Sequence, residues 1–587
     1  MYSILKTLWR ARVSSFWPIW ITMTVAAIAV TWTVARAGTP ILRNGKTAFE
    51  NGTPTPRYTH SRYAITGLVL AFLVVFLAGY IAVSVLAENF PFYDDFQLTL
   101  YSLRGLSFPP PIWRDLGRFF PLGLQEFNLL KHFTRTIVGF HGLLIAQLLI
   151  LSCVLLTLDE ELNVAERAAL VPVFLSAPGI VIVFTGLVYP DRNVVFCLAF
   201  LLLFVKRFER THSPVWAAAA AGCAQIMIYE KETASLLLLA FALGRLLLRW
   251  WNAAQAGSDN HWLRSKESRL DLCLAFLAAL FLLYDLAAMF PRPNMKYADV
   301  VRIPLGDVFR SYLKLDFLVW LFVAVLLVRT YRIFRRRIVP SLLWDGLGFG
   351  GLACFGAYLC LGIFRAYYLA PVEAIAVLYV GRLTMLSWKE MRAWSKAAAL
   401  GVVCVVVIQY VSLSAFHILE RQNALRAKAE ITRVVEARYW RATRPLRLFF
   451  PFASTWKVME LGYYLNLQGI PVENEATSGS DGRNPVVMVT KAVAKDGPCE
   501  KFFSLVCRAG PTPEPGDLVI VLPDDNARFS QVTPYREVGE PLLSYERRPA
   551  IPARVLPFIK LLGVASVPIT QTDLPDHWLD ASVTLWR

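Results

Sequence analysis

Long apolar runs separated by short charged loops repeat along most of the chain. Most runs have about 17 to 23 residues with almost no charge, which is the helix length needed to cross roughly 30 Å of hydrocarbon, and a few are shorter. The pattern predicts a polytopic α-helical membrane protein with about 11 to 12 spans. The runs cover residues 15–36, 64–87, 135–157, 168–188, 192–205, 214–229, 233–249, 270–290, 316–329, 341–363, 366–386 and 396–416.

The pattern changes after residue 416. Residues 417–444 form a charged helical pattern and residues 458–467 a second, short amphipathic one. Residues 486–489 and 517–522 are β-branched runs bounded by Gly and Pro, as in strands. The sequence therefore predicts three regions. They are an N-terminal hydrophobic segment with a cytoplasmic loop at 1–63, a membrane domain at 64–416 and a soluble C-terminal α/β domain at 417–587.

Composition agrees with a membrane environment. Hydrophobic residues make up 56% of the chain, 17 residues are Trp and the mean hydropathy is +0.47, all far above what a soluble enzyme tolerates. The net charge of +17 does not indicate nucleic-acid binding, because the basic residues cluster at the ends of apolar runs, as the positive-inside rule describes. The clearest cluster comprises Arg329, Arg332, Arg335, Arg336 and Arg337.

Placing that arginine cluster in the cytoplasm fixes the other loops by alternation. Loops 88–134, 189–192, 230–232, 291–315 and 364–368, together with the C-terminal domain, then lie outside the cytoplasm of a bacterial inner membrane. The run 15–36 fits this scheme poorly, so it is either an interfacial segment or an atypical extra span. A signal peptide cleaved after Ala37 would invert every later loop, and we therefore reject that interpretation.

Cysteine usage differs between the two parts of the chain. Seven cysteines lie in apolar runs, where Cys is typically a small core residue. Cys499 and Cys507 stand alone in the C-terminal domain. Two cysteines eight residues apart in an oxidising compartment predict a disulfide, with two unpaired thiols as the alternative.

The first long outer loop, 88–134, has the character of a folded element. Pro109, Pro110 and Pro111 separate an apolar stretch after residue 95 from a second one at 119–133. Two helices in the membrane interface are the interpretation that this pattern favours.

Three carboxylates open this loop. Glu88 follows the span 64–87, and Asp94 and Asp95 stand between Tyr93 and Phe96. Adjacent carboxylates raise one another's proton affinity, so one can act as a general base, or the two can share a cation. The alternative is a solvated helix N-cap, for which Asp is favoured.

The shorter outer loops carry more charge than a tight turn requires. Charge beside hydrocarbon is costly and is usually functional. Cations suit a phosphate group and carboxylates suit a proton or a metal ion, whereas interfacial anchoring or salt bridging is the alternative role for each residue alone. The residues are Arg118, Tyr189, Asp191, Arg192, Tyr229, Glu230, Lys231, Glu232, Arg365, Tyr367 and Tyr368.

Other catalytic motifs are absent from the sequence. It contains no phosphate-binding P-loop, no His-Glu-x-x-His and no Gly-x-Ser-x-Gly. With 7 His in the chain and most cysteines in apolar runs, a zinc site is disfavoured.

The arrangement resembles the GT-C superfamily of membrane glycosyltransferases, which take a sugar from a polyprenyl phosphate carrier. In that family an early span leads into a long outer loop that opens with an acidic motif, here Asp94 and Asp95 within 88–134. The soluble C-terminal domain also resembles bacterial members, whereas the additional run 15–36 is a departure. The resemblance implies that Asp94, or else Asp95, is the catalytic base. It implies that the donor phosphate is bound by Arg118, Arg192, Lys231 and Arg365.

We therefore expect a transferase that moves a sugar from polyprenyl phosphate to a glycan, lipid or protein acceptor, with no nucleic-acid partner. It would need no cofactor, and any divalent ion, Mg²⁺ or Mn²⁺, would be held by Asp94 and Asp95. The residues expected to contact substrate are Glu88, Tyr189, Asp191, Glu230, Glu232, Tyr367 and Tyr368.

Two alternatives remain. A transporter or a lipid or glycan flippase should carry charges or broken helices inside its spans, where Asp285 and Asp345 are the few acidic residues. An oligosaccharide ligase or polymerase would use a diphosphate-linked donor.

Overall fold

The computed structural model describes most of the membrane part of the chain and about half of the rest. The described residues are 16–37, parts of 67–80, 106–113, 117–255, 260–289, 304–452, 455–473, 485–491, 507–522, 534–535, 537–545 and 581–587. Glu88, Asp94, Asp95 and Cys499 lie outside them. The chain divides into two compact units. The first comprises Met1–Ala82, Ser107–Thr134 and Phe140–Ser414, and the second comprises Val83–Leu106, Arg135–Gly139 and Ala415–Arg587.

The first unit is helical. Its described helices are α1 (Phe16–Ala37), α2 (Glu126–Leu130), α3 (Ile137–Leu158), α4 (Val164–Leu175), α5 (Pro178–Thr185), α6 (Asp191–Thr211), α7 (Pro214–Glu230), α8 (Glu232–Gln255), α9 (Lys266–Ala288), α10 (Leu305–Leu315), α11 (Phe317–Phe334), α12 (Leu342–Leu361), α13 (Ala370–Ser387) and α14 (Ala393–Tyr439). Two 3₁₀ turns, Asn260–Arg264 and Ala366–Leu369, precede α9 and α13. Residues 137–139 at the start of α3 and the residues of α14 from Ala415 onward belong to the second unit.

Eight helices in the described part of the chain are long and apolar enough to cross a membrane, or nine if α4 and α5 form one broken span. The predicted fold class, a polytopic helical membrane protein with an α/β C-terminal region, is confirmed. Two predicted spans, 192–205 and 214–229, are the helices α6 and α7, which the eight do not include. Helix α6 carries charged residues at both ends, and α7 has 17 residues. The predicted span 64–87 falls largely outside the described residues.

The predicted span 168–188 is wrong as a continuous helix. The chain instead forms α4 and α5, which meet at an angle of 69°. Pro178 begins α5, and its ring clashes with a continuing helix while its nitrogen has no proton to donate to the preceding turn. The break therefore leaves backbone groups of Leu175, Ser176 and Gly179 that need other partners.

The second predicted interfacial helix, at 119–133, is also wrong in extent. Two short strands, β1 (Ile112–Trp113) and β2 (Arg118–Phe119), pair in the antiparallel direction. Only α2 is helical in the rest of the segment. Pro121 interrupts the stretch, and Leu124 adopts a φ of 68°, outside the helical region. The first predicted helix of this loop lies outside the described residues.

Buried ion pairs join helices at several places in the first unit. Arg245 of α8 lies 2.7 Å from Asp271 of α9 and 2.8 Å from Glu209 of α6. Arg329 of α11 lies 2.5 Å from Asp345 of α12. Each of these five buried or half-buried charges thus has a partner, without which it would be strongly destabilising in a low-dielectric interior.

The second unit contains a six-stranded sheet in the order β5-β4-β3-β6-β8-β7. The strands are β3 (Arg447–Phe450), β4 (Val487–Thr490), β5 (Cys507–Ala509), β6 (Leu518–Val521), β7 (Glu540–Tyr545) and β8 (Ala581–Leu585). Strands β3 to β6 are parallel, and β8 joins β6 in the antiparallel direction. Helix α15 (Thr455–Leu467) connects β3 to β4. Strands β4 and β6 are buried along their whole length, as strands of parallel sheets usually are.

Candidate functional site

Residues from four predicted outer loops meet in one group, which we call the charged-loop cluster. It consists of Arg118, Glu126, Tyr189, Asp191, Arg192, Glu230, Lys231, Glu232, Tyr367 and Tyr368. Strand β2 supplies Arg118 and the start of α2 supplies Glu126. The remaining members stand at the junctions of α5 with α6, of α7 with α8, and in the 3₁₀ turn before α13.

The cations of the cluster are paired one to one with carboxylates. Arg118 Nε lies 2.8 Å from Glu232 Oε1, and Lys231 Nζ lies 3.1 Å from Asp191 Oδ2. Arg192 Nη2 lies 2.6 Å from Glu126 Oε1. Each pair connects segments distant in sequence, so the pairs hold the loops together.

The centre of the cluster is closed to solvent. Asp191 and Arg192 are fully buried, and Lys231 is 5% exposed. Arg192 also donates from Nη1 to the carbonyl of Leu187 at 3.3 Å. Asn193 donates to Glu126 Oε1 at 2.9 Å, which completes a network around the Arg192 guanidinium group. Charges buried to this degree act first as structural ties.

Aromatic rings cover one side of the buried pair. Lys231 Nζ lies 4.4 Å from the ring centroid of Tyr368, a cation–π distance. Tyr368 stacks on Tyr358 at 5.0 Å, and Tyr367 packs against Tyr189 at 4.6 Å. Tyr side chains thus border Lys231 on that side with surface suited to stacking as well as hydrogen bonding.

The charge balance of the cluster argues against a preformed anion site at its centre. Glu230 is also buried, and its Oε2 has no hydrogen-bond partner within the described residues. Three cations, Arg118, Lys231 and Arg192, therefore stand against four carboxylates. Arg365 differs from them, because it is exposed and makes no ion pair within the part of the chain that the structure describes.

Nearly all predicted loop residues that can be located fall in or beside this cluster. Arg365 is next to it, at the start of the 3₁₀ turn that carries Tyr367 and Tyr368. The substrate-binding and phosphate-binding roles predicted for all these loop residues stay predictions. The proposed catalytic residues Asp94 and Asp95, as well as Glu88, lie outside the described residues. So does Cys499, and the disulfide with Cys507 at the start of β5 stays a prediction as well.

Sequence reasoning missed two members of this network. Glu126 lies within a stretch expected to be an amphipathic helix, and a carboxylate on the polar face of such a helix attracts no attention. Asn193 directly follows the charged loop and is held by Gln147 of α3 at 3.0 Å. The unusual charge of the loop 189–192 was the available signal, since a buried Arg requires a carboxylate elsewhere.

Comparison with known proteins gives little further information. No protein-family model matches the chain, and no curated protein matches it. Among solved structures, the chain is similar to ArnT from Cupriavidus metallidurans, described as bound to undecaprenyl phosphate. The identity is 12% and the TM-score 0.40, over 88% of this chain and 98% of that one. A likeness of this size assigns neither a family nor a function to the chain.

Proposed function

We propose that this chain is a GT-C type glycosyltransferase that uses a polyprenyl-phosphate-linked sugar, at the outer face of a bacterial inner membrane. The observation that supports the proposal is the charged-loop cluster. Four loops that the sequence assigns to one membrane face come together there, with cations, carboxylates and tyrosines at the ends of membrane helices. A site for a charged headgroup on an apolar tail needs a polar, charged surface directly beside an apolar one.

In the proposed reaction, Asp94 is the base. It accepts the proton of an acceptor hydroxyl while the hydroxyl oxygen attacks the anomeric carbon of the donor sugar. The bond from that carbon to the phosphate oxygen breaks, and the carrier phosphate leaves with both electrons. Cations beside the phosphate stabilise its additional negative charge. The proposal requires no cofactor, and Asp94 and Asp95 are the oxygen ligands to which a divalent ion such as Mg²⁺ would bind.

Arg365 is the cation that we place against the donor phosphate. Arg118, Arg192 and Lys231 already neutralise carboxylates, and a phosphate would have to displace those partners. Arg365 is exposed, next to the tyrosines of the cluster, and a guanidinium group can bind two phosphate oxygens at once. The three paired cations then serve to shape the loops around the site.

The test of the reaction is the variant Asp94→Asn. Asn preserves the shape and capping ability of Asp but accepts no proton at neutral pH, so a purely structural role would survive. We expect sugar transfer to fall about 100- to 10,000-fold while carrier binding is retained. Full activity in both Asp94→Asn and Asp95→Asn would contradict the proposal.

The test of the phosphate site is Arg365→Gln. Loss of a hydrogen bond to a charged group costs about 1.5 to 3 kcal/mol, so carrier affinity should fall about tenfold or more. Arg337→Gln is the matched control, since Arg337 is an exposed arginine that the sequence places on the opposite membrane face. Equal affinities of the two variants would remove Arg365 from the site.

The broken helix favours a second candidate function, a transporter or flippase. Discontinuous helices and buried acidic groups inside the bundle are features of transporters, and the bend between α4 and α5 is such a discontinuity. Vesicles containing the purified protein and a labelled polyprenyl phosphate distinguish the two functions. Movement of the lipid between leaflets without sugar transfer would favour the transporter. A ligase or polymerase with a diphosphate-linked donor would instead transfer sugar only from the diphosphate lipid.

A further inference from the structure

Two carboxyl groups lie together in the interior of the first unit, beside the bend between α4 and α5. Asp316 is the N-cap of α11, and Glu373 stands in the first turn of α13. Both residues are fully buried, and their carboxyl groups are direct neighbours. Neither belongs to the charged-loop cluster or to the proposed reaction.

Three of the four carboxyl oxygens accept hydrogen bonds. Asp316 Oδ1 accepts from the backbone N–H of Val319 at 3.1 Å, and the hydroxyl of Tyr410 lies 3.1 and 3.0 Å from the two Asp316 oxygens. Glu373 Oε2 accepts from the backbone N–H of Gly179 at 2.8 Å. Glu373 Oε1 has no donor within the described residues, although the Glu373 side chain lies within hydrogen-bonding reach of the Asp316 carboxyl group.

The pair has no counter-charge among the residues that the structure describes. Within the described part of the chain, neither carboxyl group forms an ion pair, and the side chains that face it are neutral near pH 7. They are Tyr410 from α14 and Tyr80, whose hydroxyl donates to the carbonyl of Leu175. Helix α5 contributes backbone N–H groups to Glu373, those of Gly179 and Ile180. Two adjacent ionised carboxylates without a counter-charge are strongly unfavourable in such surroundings.

We propose that Asp316 and Glu373 bind one proton between them at neutral pH. The proton supplies the donor that Glu373 Oε1 lacks, as an O–H···O hydrogen bond between the two carboxyl groups. The single remaining negative charge is stabilised by Tyr410 and by the N-terminal N–H groups of α5 and α11. The ligand of this site is therefore a proton, and it connects the bend in the chain to α11 and α13.

Infrared spectroscopy of the purified protein tests the proposal. A protonated carboxylic acid has a carbonyl band distinct from that of a carboxylate. We expect the wild-type spectrum at neutral pH to contain one such band that disappears in Glu373→Gln. Asp307→Asn is the control, because Asp307 is an exposed carboxylate in α10 and its loss should leave the protonated band in place. A protonated band unchanged in Glu373→Gln would overturn the proposal.

Stability against pH is the second measurement, and it remains informative if Glu373→Gln folds poorly. In the unfolded chain both groups are ionised at neutral pH, so folding takes up the shared proton and the free energy of unfolding should fall as pH rises. In Asp316→Asn the amide donates permanently to Glu373 Oε1, and this pH dependence should be lost. The midpoint of thermal unfolding of the wild type could instead rise with Na⁺ concentration at constant ionic strength, and only when Glu373 is intact. That result would assign an alkali cation to the site and overturn the proposal of a shared proton.

Discussion

Arg192 has a guanidinium group held entirely inside the protein. Its charge is balanced by Glu126 at 2.6 Å, and its group also contacts the face of Phe127 at 5.5 Å. An arginine in such a position cannot move to water when its partner is removed. The stability of variants of this pair therefore tests whether the charged-loop cluster holds the loops together.

We expect Glu126→Leu to destabilise the protein by about 3 to 5 kcal/mol, because it leaves Arg192 buried without a counter-charge. The double variant Arg192→Leu with Glu126→Leu removes both charges and should recover most of that loss. Thermal unfolding of the single and double variants in detergent measures the difference. A double variant as unstable as the single one would mean that the cost arises from lost packing and not from the unpaired charge.

At the scale of single residues, the sequence does not indicate that the carboxyl groups of Asp316 and Glu373 lie together. Glu373 lies inside the predicted span 366–386 and Asp316 at the start of 316–329, yet an isolated carboxylate in an apolar run does not show which helix faces it. Only tertiary packing brings α11, α13 and the bend together. Arg118, Asp191 and Lys231 were predictable, because their charge is anomalous within the sequence itself.

Among the elements, the bend between α4 and α5 depends on a close approach. A Cβ atom added at Gly179 would lie 2.8 Å from Glu373 Oε2 and 2.9 Å from the backbone nitrogen of Ala370. Contacts of this length force the start of α5 away from α13. Gly142 in α3 is a contrasting glycine, since nothing lies within 4 Å of its hypothetical Cβ.

We predict that Gly179→Ala destabilises the protein by about 1 to 3 kcal/mol, as overpacking of a well-packed interior generally does. Gly142→Ala should be neutral or slightly stabilising, because Ala is the better helix former. Comparison of the two midpoints in thermal unfolding provides the measurement. Similar unfolding midpoints for the two variants would mean that α5 can move away from α13 without loss of stability.

The helices were predicted correctly where the length of an apolar run determines them. They were predicted wrongly where local backbone geometry interrupts such a run. The apolar runs 233–249 and 341–363 correspond to α8 and α12, and the C-terminal helix and β-branched runs also appear in the structure. Periodicity could not detect the break at Pro178, because the apolar pattern continues through it. The segment 119–133 likewise has an amphipathic pattern, although its turns at Pro121 and Leu124 prevent a long helix.

For the whole molecule, the unit that ends at Ser414 is helical and hydrophobic, whereas the following unit is built on a mixed sheet. The first unit must face lipid, because many large apolar side chains on its helices are exposed. Phe276 and Leu283 of α9 are each 64% exposed. The second unit has its own apolar core, in which Ile431 of α14 packs with Leu448 and Ile520 of the sheet.

The orientation of the two units in the membrane stays a prediction of the charge pattern, and cysteine accessibility tests it. Thr512 lies in an exposed turn between β5 and β6, and Arg337 lies in the exposed arginine-rich turn after α11. Alternation of the spans places the first outside the cytoplasm and the second inside it. Thr512→Cys should therefore react with a membrane-impermeant thiol reagent in intact spheroplasts, and Arg337→Cys should react only after the membrane is permeabilised. The unsubstituted chain gives the background from its own cysteines. The reverse labelling would place the charged-loop cluster and Arg365 on the cytoplasmic side, where a donor presented from outside could not reach them.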